Sequence, residues 1–266
     1  MADTRSTLLD IDGLTIRAGT RDGETTLVDD VSASVGPGEV LGLIGESGSG
    51  KTTTVRSVVG LLERNLTVAA GRVSVLGSLV CDPQHADFAR IRGRHVGFVF
   101  QGAGSSLDPL LRVGAQLREV VRRHRPDVSR AGMPAEIEQA LAGMGFTDPG
   151  RIARSYPHQL SGGMRQRVSI ALAMVAKPEL LIADECTSAL DVTTQKDVVQ
   201  LLTKLVSDSG VGLVFVTHDL ILAEEICTKI AVMRRGRVVE TGATADVMRA
   251  PAHEYTRQLL ASVPRW

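Results

Sequence analysis

Gly45-Glu46-Ser47-Gly48-Ser49-Gly50-Lys51-Thr52 carries the spacing G-x-x-x-x-G-K-[ST] in full. Glycines in such a run let backbone N–H groups converge on phosphate oxygens with no side chain in the way. Lys51 supplies positive charge for β- and γ-phosphates, and Thr52 supplies a hydroxyl for Mg²⁺. The residues around the run fit this use. Val40–Ile44 before it is an apolar stretch, and Val55, Val58, Val59 and Leu62 after it follow helical spacing. A strand, a glycine-rich loop and a helix N-terminus with its partial positive charge form the setting that phosphate binding requires. These residues are expected to bind a nucleoside triphosphate.

Two further patterns belong to the same chemistry. Leu180-Leu181-Ile182-Ala183-Asp184-Glu185 reads as an apolar strand ending in two carboxylates. Asp184 is expected to hold the water shell of Mg²⁺ opposite Thr52, and Glu185, on the other side of the chain, to polarise an attacking water. His218 follows the apolar run 213–217, at the edge of a sheet where ligands bind, and is expected to touch the γ-phosphate. Separately, Ser161 can cap a helix whose first residues, Gly162 and Gly163, expose backbone N–H groups, which makes a second anion site.

Positioning these groups requires a particular arrangement of elements. Apolar runs at 40–44, 96–100, 180–183 and 213–217 read as strands buried on both faces. Helical stripes lie between them, among them Val168, Ala171, Leu172, Val175 and Val198, Leu201, Leu202, Leu205. Strand–helix alternation predicts an α/β core with a mostly parallel sheet. The stretch 102–177 breaks the alternation and reads as a helical insertion. The expected division is a core at 1–101 and 178–240, a helical subdomain at 102–177 and a short tail at 241–266. Arg234-Arg235-Gly236-Arg237 reads as a hairpin turn.

Composition excludes several alternatives. Thirty basic and thirty acidic residues balance, so no nucleic-acid partner is expected, and the cluster Arg122-Arg123-His124-Arg125 reads as a solvated turn. No apolar run approaches the roughly 20 residues of a membrane span. The start, Met1-Ala2-Asp3-Thr4-Arg5-Ser6, lacks the pattern of a secretory signal. Cys81, Cys186 and Cys227 have no metal-ligand spacing and read as buried reduced thiols.

Leu160-Ser161-Gly162-Gly163-Met164-Arg165-Gln166-Arg167 resembles the signature sequence of ABC ATPases, and the likeness extends over nearly the whole chain. It implies a P-loop NTPase core with an N-terminal antiparallel β portion, ATP and Mg²⁺ as cofactors, and Thr53 beside Thr52 at the nucleotide. Ser161, Gly162 and Gly163 would contact the γ-phosphate of ATP held by a second ATPase subunit in a head-to-tail dimer. Gln101 matches the glutamine that senses Mg²⁺ and touches the membrane subunit. Ser188-Ala189-Leu190-Asp191 matches the loop coupling the two sites, and His218 matches the switch histidine. The segment from Ser105 to Gly114, Tyr156-Pro157-His158-Gln159 and Tyr255-Thr256-Arg257-Gln258-Leu259-Leu260 are similar to the oligopeptide, dipeptide and nickel importer branch. That branch implies two transmembrane permeases, an extracytoplasmic solute-binding protein acting indirectly, a sister ATPase chain, and a peripheral place on the cytoplasmic face of the membrane. A non-transport role, as in accessory subunits of carbon–phosphorus lyase, is the alternative within the resemblance.

The pattern is broken in four places. No aromatic residue precedes Phe88, and Ala18 stands where the family stacks an aromatic on adenine, so weaker or less selective base binding is expected unless Arg17 or another side chain substitutes. Cys186 replaces the usual proline after the glutamate, and Gly102-Ala103 replaces the usual Asp-Pro after the glutamine. The sequence ends at Arg265-Trp266 without the cysteine-rich extension of longer relatives.

Overall fold

The computed structural model describes residues 7–20, 23–102 and 106–262. Ala103, Ser105, Arg265, Trp266 and residues 1–6 lie outside them. Along the chain run β1 (Leu9–Thr20), β2 (Gly23–Val35), β3 (Val40–Ile44), α1 (Lys51–Val58), β4 (Leu66–Val75), β5 (Ser78–Cys81) and β6 (Val96–Val99). Four α-helices follow: α2 (Val113–His124), α3 (Met133–Gly143), α4 (Pro149–Arg154) and α5 (Gly162–Met174). Then come β7 (Leu180–Asp184), α6 (Val192–Ser209), β8 (Gly212–Thr217), α7 (Leu220–Ile226), β9 (Lys229–Arg234), β10 (Arg237–Ala243), α8 (Thr244–Arg249) and α9 (Glu254–Ala261).

The first sheet is antiparallel, in the order β2-β1-β4-β5. Leu9 and Ile11 alternate inward along β1, and so do Leu14, Ile16 and Ala18. The phase changes between the two sets because Gly13, with φ at 60°, shifts the register against both neighbouring strands. The second sheet has the order β10-β9-β3-β8-β7-β6, parallel throughout except for the β9–β10 hairpin. At that hairpin's turn Arg235 and Gly236 both have positive φ, the conformation that matches strand twist in a two-residue loop.

Strands β3, β7 and β8 are buried at every residue. Their odd and even positions serve different cores. Ile44, Leu181, Ala183, Leu213 and Phe215 join the core under the helices, whereas Leu41, Leu43, Ile182, Val214 and Val216 face the core shared with the antiparallel sheet. A side chain such as Phe215, fully buried, contributes about 1.5–3 kcal/mol relative to exposure. This two-faced burial explains why the strands read as continuous apolar runs.

Helices α2 to α5 leave the sheet after β6 and return to it at β7. Arg125, just past α2, ties this stretch together: its guanidinium donates to Asp127 (2.7 Å), to Glu136 on α3 (2.8 Å) and to the Val175 carbonyl after α5 (3.4 Å). Arg122 pairs with Glu119, so Arg122 and Arg125 of the basic cluster are engaged with carboxylates of the same helical stretch. The three cysteines are all buried and unbonded. Beyond residue 240 the chain remains in strand to Ala243 before α8 and α9. Among the described residues, no helix is long and apolar enough to cross a membrane.

Candidate functional site

Parallel register brings the chemical residues to one edge. Ile44 lies beside Thr217, Asp184 beside Val216, and Val99 beside Ala183, so β3, β6, β7 and β8 stop together. The next residues of each strand are Gly45, Gln101 two past the end of β6, Glu185 and His218. The sheet edge therefore collects groups up to 173 positions apart in sequence, as His218 is from Gly45.

The loop 45–50 is shaped by close approaches. A Cβ on Gly45 would collide with the Met233 carbonyl oxygen and the Ser49 hydroxyl. Gly50, with φ at 101°, turns the chain into α1, and its carbonyl accepts both the N–H and the hydroxyl of Thr54 at 2.9 Å. Lys51 is 3% exposed. Its Nζ donates to the carbonyls of Gly45 (2.8 Å) and Glu46 (2.9 Å) and lies 3.8 Å from Glu185 Oε1. Burial lowers the Lys51 pKa, opposed by Glu185, Asp184 and Glu46 in that order. Ser47, Gly48, Thr52 and Thr53 line one cleft with Gln101 and Glu185, while Gly45, Glu46, Ser47 and His218 line its neighbour.

Thr52 donates its hydroxyl to Asp184 Oδ1 at 2.9 Å. Asp184 is fully buried, and its Oδ2 has no hydrogen-bond partner; Arg56 Nε stands 3.8 Å away. Burial raises the Asp184 pKa, with the Thr52 bond and Arg56 working against it. A buried carboxylate oxygen without a hydrogen bond, beside a threonine hydroxyl, is a hard donor pair of the kind Mg²⁺ takes. Among the described residues no group of three or more His, Cys, Asp and Glu could hold a metal alone, which fits an ion whose remaining ligands are phosphate and water.

Glu185 follows with φ at 43°. Its carboxylate accepts from Gln101 Nε2 at 2.9 Å on one oxygen and lies 3.7 Å from His218 Nδ1 on the other. The Glu185 side chain is 15% exposed and that of His218 is 59%, so the carboxylate sits between a buried cation and an open histidine. Cys186 beside it is buried, which pushes its thiol pKa up to about 12 and leaves it in the unreactive form.

Ser161, Gly162 and Gly163 are not brought to this edge within the chain. Ser161 caps α5, accepting the Met164 N–H at 3.3 Å. A Cβ on Gly163 would press on Thr194 Cγ2, so the small residue lets α5 lie against α6. Asp191 caps α6, accepting from the Thr194 N–H (3.0 Å) and hydroxyl (2.7 Å). The start of α5 and the loop ending at Asp191 thus meet through Thr194. At the expected adenine position, Ala18 is buried and lies opposite Thr25 and Leu66, while Arg17 pairs with Glu24 at 3.2 Å. Among the described residues, no Phe, Tyr or Trp lines either cleft of the phosphate loop.

A family model described as ABC transporter matches residues 28–188. The chain belongs to the ABC transporter family. As an ABC ATPase it has close relatives over almost its full length. A Brucella melitensis protein whose name assigns it to peptide import as an ATP-binding protein is 44% identical, over 98% of this chain and 79% of that protein. The oligopeptide transport ATP-binding protein OppD of Escherichia coli K12 is 39% identical over 97% of this chain and 76% of its own. The dipeptide transport ATP-binding protein DppD of Bacillus subtilis is 37% identical over 97% and 77%. A dimeric bacterial ABC transporter cassette superposes with a TM-score of 0.76 at 28% identity, over 89% of this chain and 98% of that one, and has also been solved in a post-hydrolysis state with ADP and Pi. The fold is that of these cassettes, and ATP is the ABC ATPase's nucleotide.

Two neighbours of the site were not assigned to it from the sequence. Arg56 sits one helical turn beyond Thr52, where an arginine on a helix reads as solvent-facing. Tyr255 donates nothing recognisable by spacing, since it meets Glu46 across 209 residues.

Proposed function

We propose that this ABC ATPase powers import of peptides, hydrolysing ATP at a site it completes with a second cassette subunit. The observation carrying the catalytic part is the convergence on Glu185: Lys51, Gln101 and His218 all approach one carboxylate at the phosphate loop. In this reading, loop residues 45–53 cradle the phosphates, and Glu185 takes the proton of an attacking water as the water oxygen bonds to the γ-phosphorus and the bond to the β–γ bridging oxygen breaks, ADP leaving with that bridging oxygen. Lys51 offsets the charge on the phosphate oxygens. Gln101 and His218 hold Glu185 in place and report its state. Mg²⁺, held by Thr52, Asp184 and Gln101, would neutralise phosphate charge when bound. Ser161, Gly162 and Gly163, which line neither cleft of the chain's own loop, supply an anion site to the partner's ATP, and Asp191 joins the two sites.

The peptide part rests on the relatives named for peptide, oligopeptide and dipeptide transport. The transmembrane permeases would dock on the apolar cleft between β6 and the helical stretch, lined by Leu61, Phe98, Phe100, Val120 and Leu172. Exposed Leu110 and Leu111 follow the glutamine nearby. The chain would then sit peripherally on the inner membrane face, with a solute-binding protein upstream. Affinity purification from detergent-solubilised membranes tests this. Recovery of two integral-membrane permeases and a second ATPase chain is expected, together with peptide-stimulated ATP hydrolysis after reconstitution with the solute-binding protein. Recovery of soluble enzymes without permeases would move the chain to a non-transport role.

A further inference from the structure

The end of the chain folds back onto its phosphate loop. β10 shifts register between Val238 and Glu240, and the Glu240 carboxylate accepts the N–H groups of Ala252 (2.7 Å) and His253 (3.1 Å). His253 caps α9, its Nδ1 accepting the Tyr255 N–H at 3.1 Å. These bonds fix where the Tyr255 ring enters the molecule. The ring is 3% exposed, and the Arg234 guanidinium lies over it, 4.6 Å from its centroid. Its phenol oxygen accepts the Glu46 N–H at 3.3 Å.

The peptide unit concerned joins Gly45 to Glu46. Its carbonyl oxygen takes a bond from Lys51 at 2.8 Å, and its N–H gives one to Tyr255. Lys51 is also the residue assigned to the phosphates, so moving toward a nucleotide weakens its hold on this carbonyl. The Tyr255 bond lies on the opposite side and does not compete with phosphate. Gly45 has little conformational restraint of its own, being a glycine with φ at 155°. Leu259, one turn further along α9, lines the same cleft as Gly45, Glu46, Ser47 and His218.

We propose that Tyr255 is a positioning residue for nucleotide binding, and that α9 fixes the first peptide of the phosphate loop through the Tyr255 phenol oxygen. This rests on the nucleotide reading of the loop given above. Tyr255 touches no reacting atom; it keeps the loop in its binding shape while Lys51 exchanges partners.

Tyr255→Phe keeps the ring, its burial and its contact with Arg234, and removes the hydroxyl, which accepts the Glu46 N–H and also meets the Glu46 side chain. The Michaelis constant for ATP is expected to rise about three- to tenfold, the size of one net hydrogen bond, with kcat changed less than about twofold. An unchanged KM, or a loss confined to kcat, overturns the proposal. Wild-type chain is measured in parallel by ATP and ADP titration: failure of the wild type to bind nucleotide would refute the nucleotide reading, whereas equal binding by wild type and variant refutes only the role of Tyr255. A second measurement uses the fact that the chain has two tyrosines, Tyr156 and Tyr255. Labelled with 3-fluorotyrosine, it gives two fluorine resonances, assigned with Tyr156→Phe. ADP is expected to shift the Tyr255 resonance, and a resonance indifferent to saturating ADP overturns the proposal. A role in packing alone would show as a lower Tm in Tyr255→Leu with no KM change in Tyr255→Phe.

Discussion

Glu185 takes its position from backbone and neighbours together. Positive φ turns it out of β7, Gln101 holds one carboxylate oxygen at 2.9 Å, and His218 stands 3.7 Å from the other. Replacing it with Gln keeps the size and the hydrogen-bonding reach but removes the base. Hydrolysis by Glu185→Gln, followed by phosphate release, is expected to fall by about 10²- to 10⁴-fold, while equilibrium binding of ATP is retained. Loss of binding instead would show Glu185 to be part of the cradle rather than the base. A second residue-scale expectation concerns the base of the nucleotide. Ala18 is buried, Arg17 is engaged with Glu24, and among the described residues no Phe, Tyr or Trp lines either cleft. With no stacking partner worth about 1–3 kcal/mol, ATP and GTP are expected to bind within about tenfold of each other in competition titrations. A strong preference for ATP would show that another side chain fills the role. The identity of the phosphate loop and of the acids was legible in sequence because their chemistry depends on local spacing. Tyr255 was not, because its contact depends on where α9 ends up.

The helical stretch from α2 to α5 offers an element-scale test through Glu136. Burial pushes its pKa up, but hydrogen bonds and charge from Arg125 and Lys177 outweigh that and leave it below the usual value. A carboxylate with a lowered folded pKa stabilises above its unfolded pKa, and that contribution is lost as pH falls through the folded value. Glu136→Gln should therefore cost about 1.5–3 kcal/mol at pH 7, the worth of a hydrogen bond to a charged group, and the difference should start to shrink below about pH 4.5 and be lost as pH falls through the lower folded value. Chemical denaturation across pH checks it; a constant difference at all pH values would assign the effect to packing. The elements themselves divide by legibility. The strands β3, β7 and β8 were readable as apolar runs because both faces are covered. β1 was harder to read from sequence because Gly13 shifts its inward alternation partway along.

For the molecule as a whole, the orientation of Ser161, Gly162 and Gly163 matters most. They meet the loop ending at Asp191 through Thr194, and the proposed function has a second chain complete the site. Glu185→Gln with Mg²⁺ and ATP should form a dimer, alone or with its sister subunit, by light scattering, and chelating the Mg²⁺ should return it to monomer. A monomer under all these conditions would refute shared sites. Taken alone, the amino-acid sequence pointed to the chemistry: which residues are proposed to cradle phosphate, hold Mg²⁺ and activate water, because glycine spacing and strand-end acids act over a few residues. It also determined the family, through motifs spread along the chain. Tertiary structure decided what those residues touch. Parallel register delivered Gln101, Glu185 and His218 to one point, burial left an Asp184 oxygen without a hydrogen bond, and the return of the C-terminal helix set Tyr255 against the loop. Such contacts join residues tens to hundreds of positions apart, and only the packing of sheets and helices brings them within bonding distance.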